Sequence, residues 1–168
     1  MFSKTSHFGI ALGILNIIFF LAQYQQNIHT KPLNIYVILM MLISVIFIIL
    51  AIVKASKDHE GELFSIRKGL QTGIGVILLG GLIIWVYQIF HANYIEPDFI
   101  DKLAAAAPEN LQLDKQFSPE EITEKVALFK ENYKFSLFSD VILKSLFTGF
   151  FVSLITSLVI KSKIFVKP

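Results

Sequence analysis

The sequence contains no cysteine, and only 17% of its 168 residues are charged. The absence of cysteine excludes disulfide bonds, cysteine-ligated zinc and thiol catalysis. The net charge is only +2, and no block of lysine or arginine marks a surface for nucleic acid. We therefore expect no nucleic-acid partner and no thiol chemistry.

Long apolar runs are what the sequence has instead. Hydrophobic residues make up 54% of the chain, and the mean hydropathy is +0.64. A helix that crosses a membrane needs about 20 mostly apolar residues, and four runs approach that length, at about 7–24, 35–53, 69–90 and 141–160. The sequence predicts an all-α membrane protein, a single four-span domain over residues 1–168 with the helices up-down-up-down.

The segment between the third and fourth runs, residues 96–137, carries helix signals of its own. Ser118 is a good N-cap, Pro119 suits the first turn and Glu121 completes a capping box. An apolar stripe follows on one face of this helix. A shorter helix is predicted just before it, ending ahead of Pro108. We expect a small amphipathic helical cap on the extracytoplasmic side.

The distribution of lysine and arginine predicts the orientation. Basic residues flanking membrane helices stay on the cytoplasmic side. If the N-terminus is cytoplasmic, that side holds Lys4, Lys54, Lys57, Arg67, Lys68, Lys161, Lys163 and Lys167. The short loop on the other side holds only Lys31. Both termini are therefore predicted to be cytoplasmic, in a multi-pass protein of the cell inner membrane.

Small and polar residues share one face on three of the four predicted helices. Such residues let helix backbones approach closely in lipid. The helix-packing residues predicted this way are Gly9, Gly13, Asn16, Gly69, Gly73, Gly80, Ser145, Gly149 and Ser153. The alternative is a polar seam for a substrate or an ion, for which Asn16, near mid-membrane, is the sharpest candidate.

Asp140 and Lys144 stand one helical turn apart at the start of the fourth run. An ionisable residue within a span suggests function, but this pair points away from the small-residue face and lies close to the outer boundary. We interpret it as an interfacial anchor, because lysine can extend its charge to the headgroups. Trp85 and Tyr94 are predicted to anchor the third helix in the same way. A proton or ion relay is the alternative.

The four histidines, His7, His29, His59 and His91, are scattered along the chain. None has a partner three or four residues away that could share a metal ion on one helix face. No hydrolase or phosphate-binding motif is present either. The sequence therefore predicts no catalytic residue, no cofactor and no metal site.

The central stretch of the chain resembles a known family. Gly61, Leu63 and Ser65 precede the third run, Gly69 and Gly73 lie within it, and Tyr94, Ile95, Pro97 and Phe99 follow it. This pattern, with four spans and a long third loop, is similar to a family of short bacterial membrane proteins catalogued only as a domain of unknown function. The resemblance implies a bacterial inner-membrane protein and assigns no catalytic or binding residue.

Three functions remain open at this stage. The first is a non-enzymatic membrane protein with a structural, accessory or assembly role, in contact with the bilayer and with itself or another membrane protein. The second is a small transporter or channel component that works as an oligomer. The third, an integral-membrane enzyme acting on lipids, has the least support, because no acidic or histidine motif clusters at the interface.

Overall fold

The structure is a computed structural model that describes residues 5–31, 34–58, 64–110 and 117–165. The described residues form helices and connecting turns, with no strand among them. The predicted inner turn at Gly61, the segment 111–116 of the predicted linker, and two of the basic residues, Lys4 and Lys167, lie outside these ranges.

Six α-helices and one π-helical turn are present in the part of the chain that the structure describes. The four long helices are α1 (Ser6–Gln25), α2 (Ile35–Lys57), α3 (Ile66–Phe90) and α6 (Tyr133–Phe165). A π-helical turn, His91–Ile95, extends α3, and two shorter helices follow it, α4 (Phe99–Asn110) and α5 (Pro119–Glu131). Among the described residues, four helical segments are long and apolar enough to cross a membrane, as the sequence predicted.

Short polar residues begin several of these helices. The Asn34 side chain accepts hydrogen bonds from the backbone N–H groups of Tyr36 and Val37 at the start of α2. Ser65 caps α3 by accepting from the Lys68 N–H. Ser118 and Glu121 form the predicted capping box at α5. Each cap satisfies amides that the first turn of a helix leaves without partners.

Two helix boundaries differ from the sequence prediction. The helix that contains the fourth span begins at Tyr133, whereas the apolar run suggested Val141, because the helix continues through residues too polar to count as a span. α4 reaches Asn110 and passes through Pro108. The prediction that α4 ends before Pro108 was therefore wrong, although a proline inside a helix removes a hydrogen bond and crowds the carbonyl four residues earlier.

α1 and α3 meet through glycine. A Cβ atom at Gly9 would lie 2.9 Å from the Cβ of Leu79, and one at Gly13 would lie 2.6 Å from the Cβ of Ile83. A Cβ atom at Gly80 on α3 would lie 3.0 Å from Cγ of Leu12. The two backbones therefore approach at positions where any side chain would hold them apart.

α3 and α6 share a second close contact. Glycines of α3 at positions 69, 73 and 81 lie against serines of α6 at positions 157, 153 and 145, respectively. Along this contact the residue numbers of the glycines rise on α3 while those of the serines fall on α6, so the two helices run in opposite directions. Ile48 and Ile52 of α2 are fully buried against the same region.

Candidate functional site

Glu96 lies at the centre of a buried polar cluster, at the end of the bundle where α1 turns into α2 and α3 leads into α4. Its Oε2 atom is 2.8 Å from Nε2 of His29 and 3.1 Å from Nε2 of His91, and its Oε1 atom accepts a hydrogen bond from Lys102 over 2.5 Å. The side chains of His29, His91 and Glu96 are 3%, 0% and 4% exposed.

A tight turn after α1 brings His29 to this cluster. Asn27 adopts a positive φ of 55°, a conformation that asparagine tolerates better than most residues. The Ile28 N–H then bonds back to the Gln23 carbonyl over 3.0 Å. Asn34 closes the turn, because its Nδ2 donates to Oε1 of Gln23 over 2.9 Å. These contacts fix the backbone on both sides of His29.

The π-helical turn aligns His91 with Glu96. The Glu96 N–H bonds to the His91 carbonyl over 2.9 Å, which is the i to i+5 pattern of a π-helix. In an α-helix, residues five apart point in different directions, at about 100° per residue. The wider turn places them on the same side, and π turns of this kind are frequent at functional sites.

The first turn of α4 completes the cluster. Lys102 contacts Asp98 at 3.0 Å as well as Glu96. The Phe99 N–H bonds to the Glu96 carbonyl over 2.9 Å, so the chain turns sharply into α4 immediately after the carboxylate. One ammonium group thus bridges an exposed carboxylate and a buried one.

Aromatic side chains enclose the two imidazoles. The ring of Phe99, which is 1% exposed, stacks on His29 with centroids 5.6 Å apart. The rings of Phe20 and Tyr24 form T-shaped contacts with the ring of His91, with centroids 5.1 and 4.7 Å apart, respectively. The Tyr87 hydroxyl lies 3.5 Å from Nδ1 of His91. The cluster is therefore polar at its centre and apolar around it.

The charges of this cluster are set by burial and by its internal contacts. Burial lowers the pKa of His29 below its usual value, against the opposing effect of Glu96, so its imidazole is neutral near pH 7. Burial alone would raise the pKa of Glu96, but hydrogen bonds from Lys102 and His91 outweigh it and hold that pKa below its usual range. The hydrogen bond to Glu96 raises the pKa of Lys102.

These three side chains can act as hydrogen-bonding partners or as metal ligands. One ligand atom from each of His29, His91 and Glu96 lies within 4.8 Å of the others. Two imidazole nitrogens and a carboxylate are common ligands of zinc and of other first-row metals. The same atoms can equally form a set of hydrogen bonds that holds the α1–α2 turn against the segment leading into α4.

The predicted helix-packing residues lie elsewhere, in the body of the bundle. Each predicted glycine there would place a Cβ close to a neighbouring helix; Gly149, for instance, would lie 2.7 Å from Ile77 Cγ2. Ser145 is 6% exposed and Ser153 is fully buried. Asn16 is also buried, and its Oδ1 atom has no hydrogen-bond partner. None of these residues belongs to the polar cluster.

Three of the predicted anchors, Tyr94, Asp140 and Lys144, are exposed, and Trp85 is partly buried. Lys144 Nζ and Asp140 Oδ2 are 2.6 Å apart, with side chains 75% and 55% exposed. Trp85 donates from Nε1 to the Lys134 carbonyl over 3.3 Å and lies against the ring of Phe138. Tyr94 is 76% exposed. Their role as anchors in a bilayer stays a prediction.

The family described as protein of unknown function (DUF4199) matches residues 7–162. The chain belongs to the DUF4199 family. This confirms the resemblance carried by the residues around α3. The matched region includes every residue of the polar cluster. No curated protein and no solved structure matches the chain.

In this DUF4199 protein the sequence reasoning missed the polar cluster. The histidines are scattered along the sequence, but the fold brings His29 and His91 together at Glu96. The metal-site prediction depended on α-helical spacings of three and four, whereas His91 and Glu96 are joined across a π turn. The one local signal was an acid five residues after a histidine, directly before Pro97. The contact with His29 depends on the tertiary fold and has no signal of its own.

Proposed function

We propose that this protein is a non-enzymatic component of a bacterial inner membrane, with a structural, accessory or assembly role and with both termini in the cytoplasm. The observation that carries this proposal is the state of Glu96. Both of its oxygens are engaged by groups of the same chain. A carboxylate held in this way ties segments together and is not directed at a substrate.

The surroundings of the cluster support a structural role. A general base must reach its substrate within hydrogen-bonding distance, but His29, His91 and Glu96 are each less than 5% exposed. Among the described residues, the groove that stands out lies elsewhere, between α3 and α6. It has a volume of about 390 Å³, and its lining is entirely apolar: Ile74, Leu146, Phe147, Phe150 and Phe151.

The exterior of the bundle supports the membrane location. Large apolar side chains are exposed along α1, α2 and α6, among them Ile18, Met41 and Phe147. In water such surfaces would associate, whereas in lipid they match their solvent. The cytoplasmic placement of the termini depends on the basic residues that flank the helices.

A small transporter or channel component is the second candidate, and one observation favours it. Within the bundle, Asn16 Oδ1, Gln88 Oε1 and Ser153 Oγ are buried and have no hydrogen-bond partner. An unsatisfied polar atom is costly in a membrane. A polar path through an oligomer would give these atoms partners.

Reconstitution into lipid vesicles separates the two candidates. The structural proposal predicts that vesicles containing the full-length protein leak ions and small solutes no faster than protein-free vesicles, and that their lipids remain chemically unchanged. It also predicts that the protein, purified in mild detergent, is found in an assembly with itself or with another membrane protein.

Two results would overturn the proposal. Solute flux that is lost in Asn16→Leu, in a protein that inserts normally, would establish the transport candidate. Conversion of a vesicle lipid that is lost in His91→Gln would establish an enzyme. Ile49→Leu serves as the control in both assays, because Ile49 is 38% exposed on α2, remote from the polar cluster.

A further inference from the structure

We propose that His29, His91 and Glu96 form a binding site for a first-row divalent transition metal ion, for which Zn²⁺ is the appropriate probe. The site would join the α1–α2 turn to the end of α3. It stands independently of the function proposed above, because a metal ion can stabilise this end of the bundle whatever the protein does.

The three side chains converge on one point. Both Nε2 atoms address the same carboxylate oxygen, Oε2 of Glu96, at 2.8 and 3.1 Å. Zinc binds nitrogen and oxygen at about 2.0–2.2 Å with tetrahedral geometry, which separates neighbouring ligand atoms by about 3.3–3.6 Å. The two nitrogen–oxygen distances are shorter than that, and all three ligand atoms lie within 4.8 Å of one another, so the side chains would separate by less than about 1 Å to admit the ion.

The donor set fits zinc. Two imidazoles and one carboxylate recur as three protein ligands with a fourth position left for water. Neutral imidazole is the form that binds a metal. The absence of cysteine also removes the thiolates that would favour Cu(I) or an iron–sulfur cluster. The proposed ion is therefore one that accepts nitrogen and oxygen ligands.

The groups around the ligands hold them in place. In metal sites the second nitrogen of a histidine ligand usually contacts another polar group. The Tyr87 hydroxyl occupies that position at Nδ1 of His91. The Phe99 ring stacks on His29 and fixes the plane of its imidazole. Nδ1 of His29 is buried without a partner, so His29 lacks the second polar contact that Tyr87 gives His91.

The positive charge of Lys102 opposes the binding of a cation. A variant of Lys102 therefore distinguishes a metal site from a cluster that only holds the chain together through hydrogen bonds. The ammonium group of Lys102 donates to Oε1 of Glu96 and lies beside the proposed site. Removing that charge relieves repulsion of the metal ion and frees the second carboxylate oxygen. Lys102→Met should therefore bind Zn²⁺ more tightly than the natural protein, although it loses an ion pair.

The experiment uses the full-length protein in detergent, purified with a tag that contains no histidine run and stripped with a chelator. Zn²⁺ is titrated against a competing indicator, and Co²⁺ is added separately to record its visible ligand-field absorption. We expect one Zn²⁺ per chain, a tetrahedral Co²⁺ spectrum and a higher unfolding temperature with Zn²⁺.

Two ligand variants, a control and a Lys102 variant locate the site. His29→Gln and His91→Gln should each weaken Zn²⁺ binding by at least about 100-fold, since even partners of the ligands are worth 10–100-fold. His7→Gln is the matched control, because His7 is exposed near the start of α1, and its affinity should be unchanged. Lys102→Met reports on the site even where a ligand variant fails to fold.

Other results would overturn the proposal. If the natural protein bound less than one Zn²⁺ per two chains, the cluster would be a set of hydrogen bonds and not a metal site. The same conclusion would follow if His7→Gln reduced binding as much as His91→Gln does. Weaker Zn²⁺ binding by a folded Lys102→Met would also contradict the site, because the removed group is a competing cation.

Discussion

The carboxylate of Glu96 contacts the imidazole of His29, a residue 67 positions earlier in the chain, over 2.8 Å. Both side chains are almost completely buried. The contact joins the turn after α1 to the residue that leads into α4. A hydrogen bond to a charged group contributes about 1.5–3 kcal/mol, whereas an exposed ion pair contributes about 0–1 kcal/mol, so this end of the bundle depends on the contact more than on an exposed ion pair.

Glycine packing between α3 and α6 gives the first prediction. A Cβ at Gly73 would lie 2.8 Å from Ile48 Cγ2 and would collide with Ser153. Gly73→Ala should therefore lower the free energy of unfolding by about 1–3 kcal/mol, measured by denaturation in mixed micelles.

Gly75, two residues further along the same helix, is the matched control. A Cβ there would meet nothing within 4 Å. Gly75→Ala should be neutral, or stabilising by up to about 1 kcal/mol, because alanine favours a helix over glycine. Equal losses in both variants would show that α3 is not packed as described.

The orientation in the membrane is a second prediction. The basic residues that flank the apolar runs predict that the chain begins and ends in the cytoplasm. An alkaline phosphatase fusion after Pro168 should be inactive, and one after Asn110 should be active. Activity in the first fusion and its absence in the second would reverse the topology.

The exposed pair Asp140 and Lys144 provides a third prediction. Exposed ion pairs contribute about 0–1 kcal/mol, and arginine extends to the headgroups as lysine does. Lys144→Arg should be silent, and the double variant Asp140→Asn/Lys144→Gln should insert and accumulate normally. Loss of a cellular phenotype in that normally inserted double variant would support a relay and reject the anchor.

The capping box of α5 predicts a dependence on pH. The hydrogen bond from the Ser118 backbone N–H, with that from its side chain, lowers the pKa of Glu121 from 4.5. The carboxylate therefore stabilises the start of α5 fully above pH 4.5, and this contribution is lost as pH falls through the lower, folded-state pKa.

Hydrogen exchange of the first-turn amides, expressed as protection factors, measures this effect. Glu121→Gln is the control, because glutamine also completes a capping box but does not titrate. Protection in the natural protein should fall on acidification, and protection in Glu121→Gln should remain constant. Parallel curves for the two proteins would rule out Glu121 as the titrating group.

The spans and the small-residue faces were accessible from sequence because both follow the helical period. Apolar runs predict α1, α2 and α3 to within a few residues, and G-x-x-x-G spacings select Gly9 with Gly13 and Gly69 with Gly73. The start of α6 was less accessible, since the backbone stays helical beyond the apolar run that marks the span.

The polar cluster was not accessible for two physical reasons. His91 and Glu96 share a side only because a π turn replaces an α turn, and apolar periodicity does not encode that change. His29 joins them through a turn whose geometry depends on the positive φ of Asn27 and on Asn34. Spacing rules built on regular helices miss such a site.

The central claim is that Glu96 holds this end of the bundle together, and site-resolved hydrogen exchange on Glu96→Gln tests it most directly. We predict that amides of residues 99–106 and 27–31 exchange about 100-fold faster, which corresponds to about 3 kcal/mol, while those around Gly73 stay unchanged. Asp140→Asn/Lys144→Gln should leave all of them unchanged. Unaltered exchange at residues 99–106 in Glu96→Gln would contradict the account.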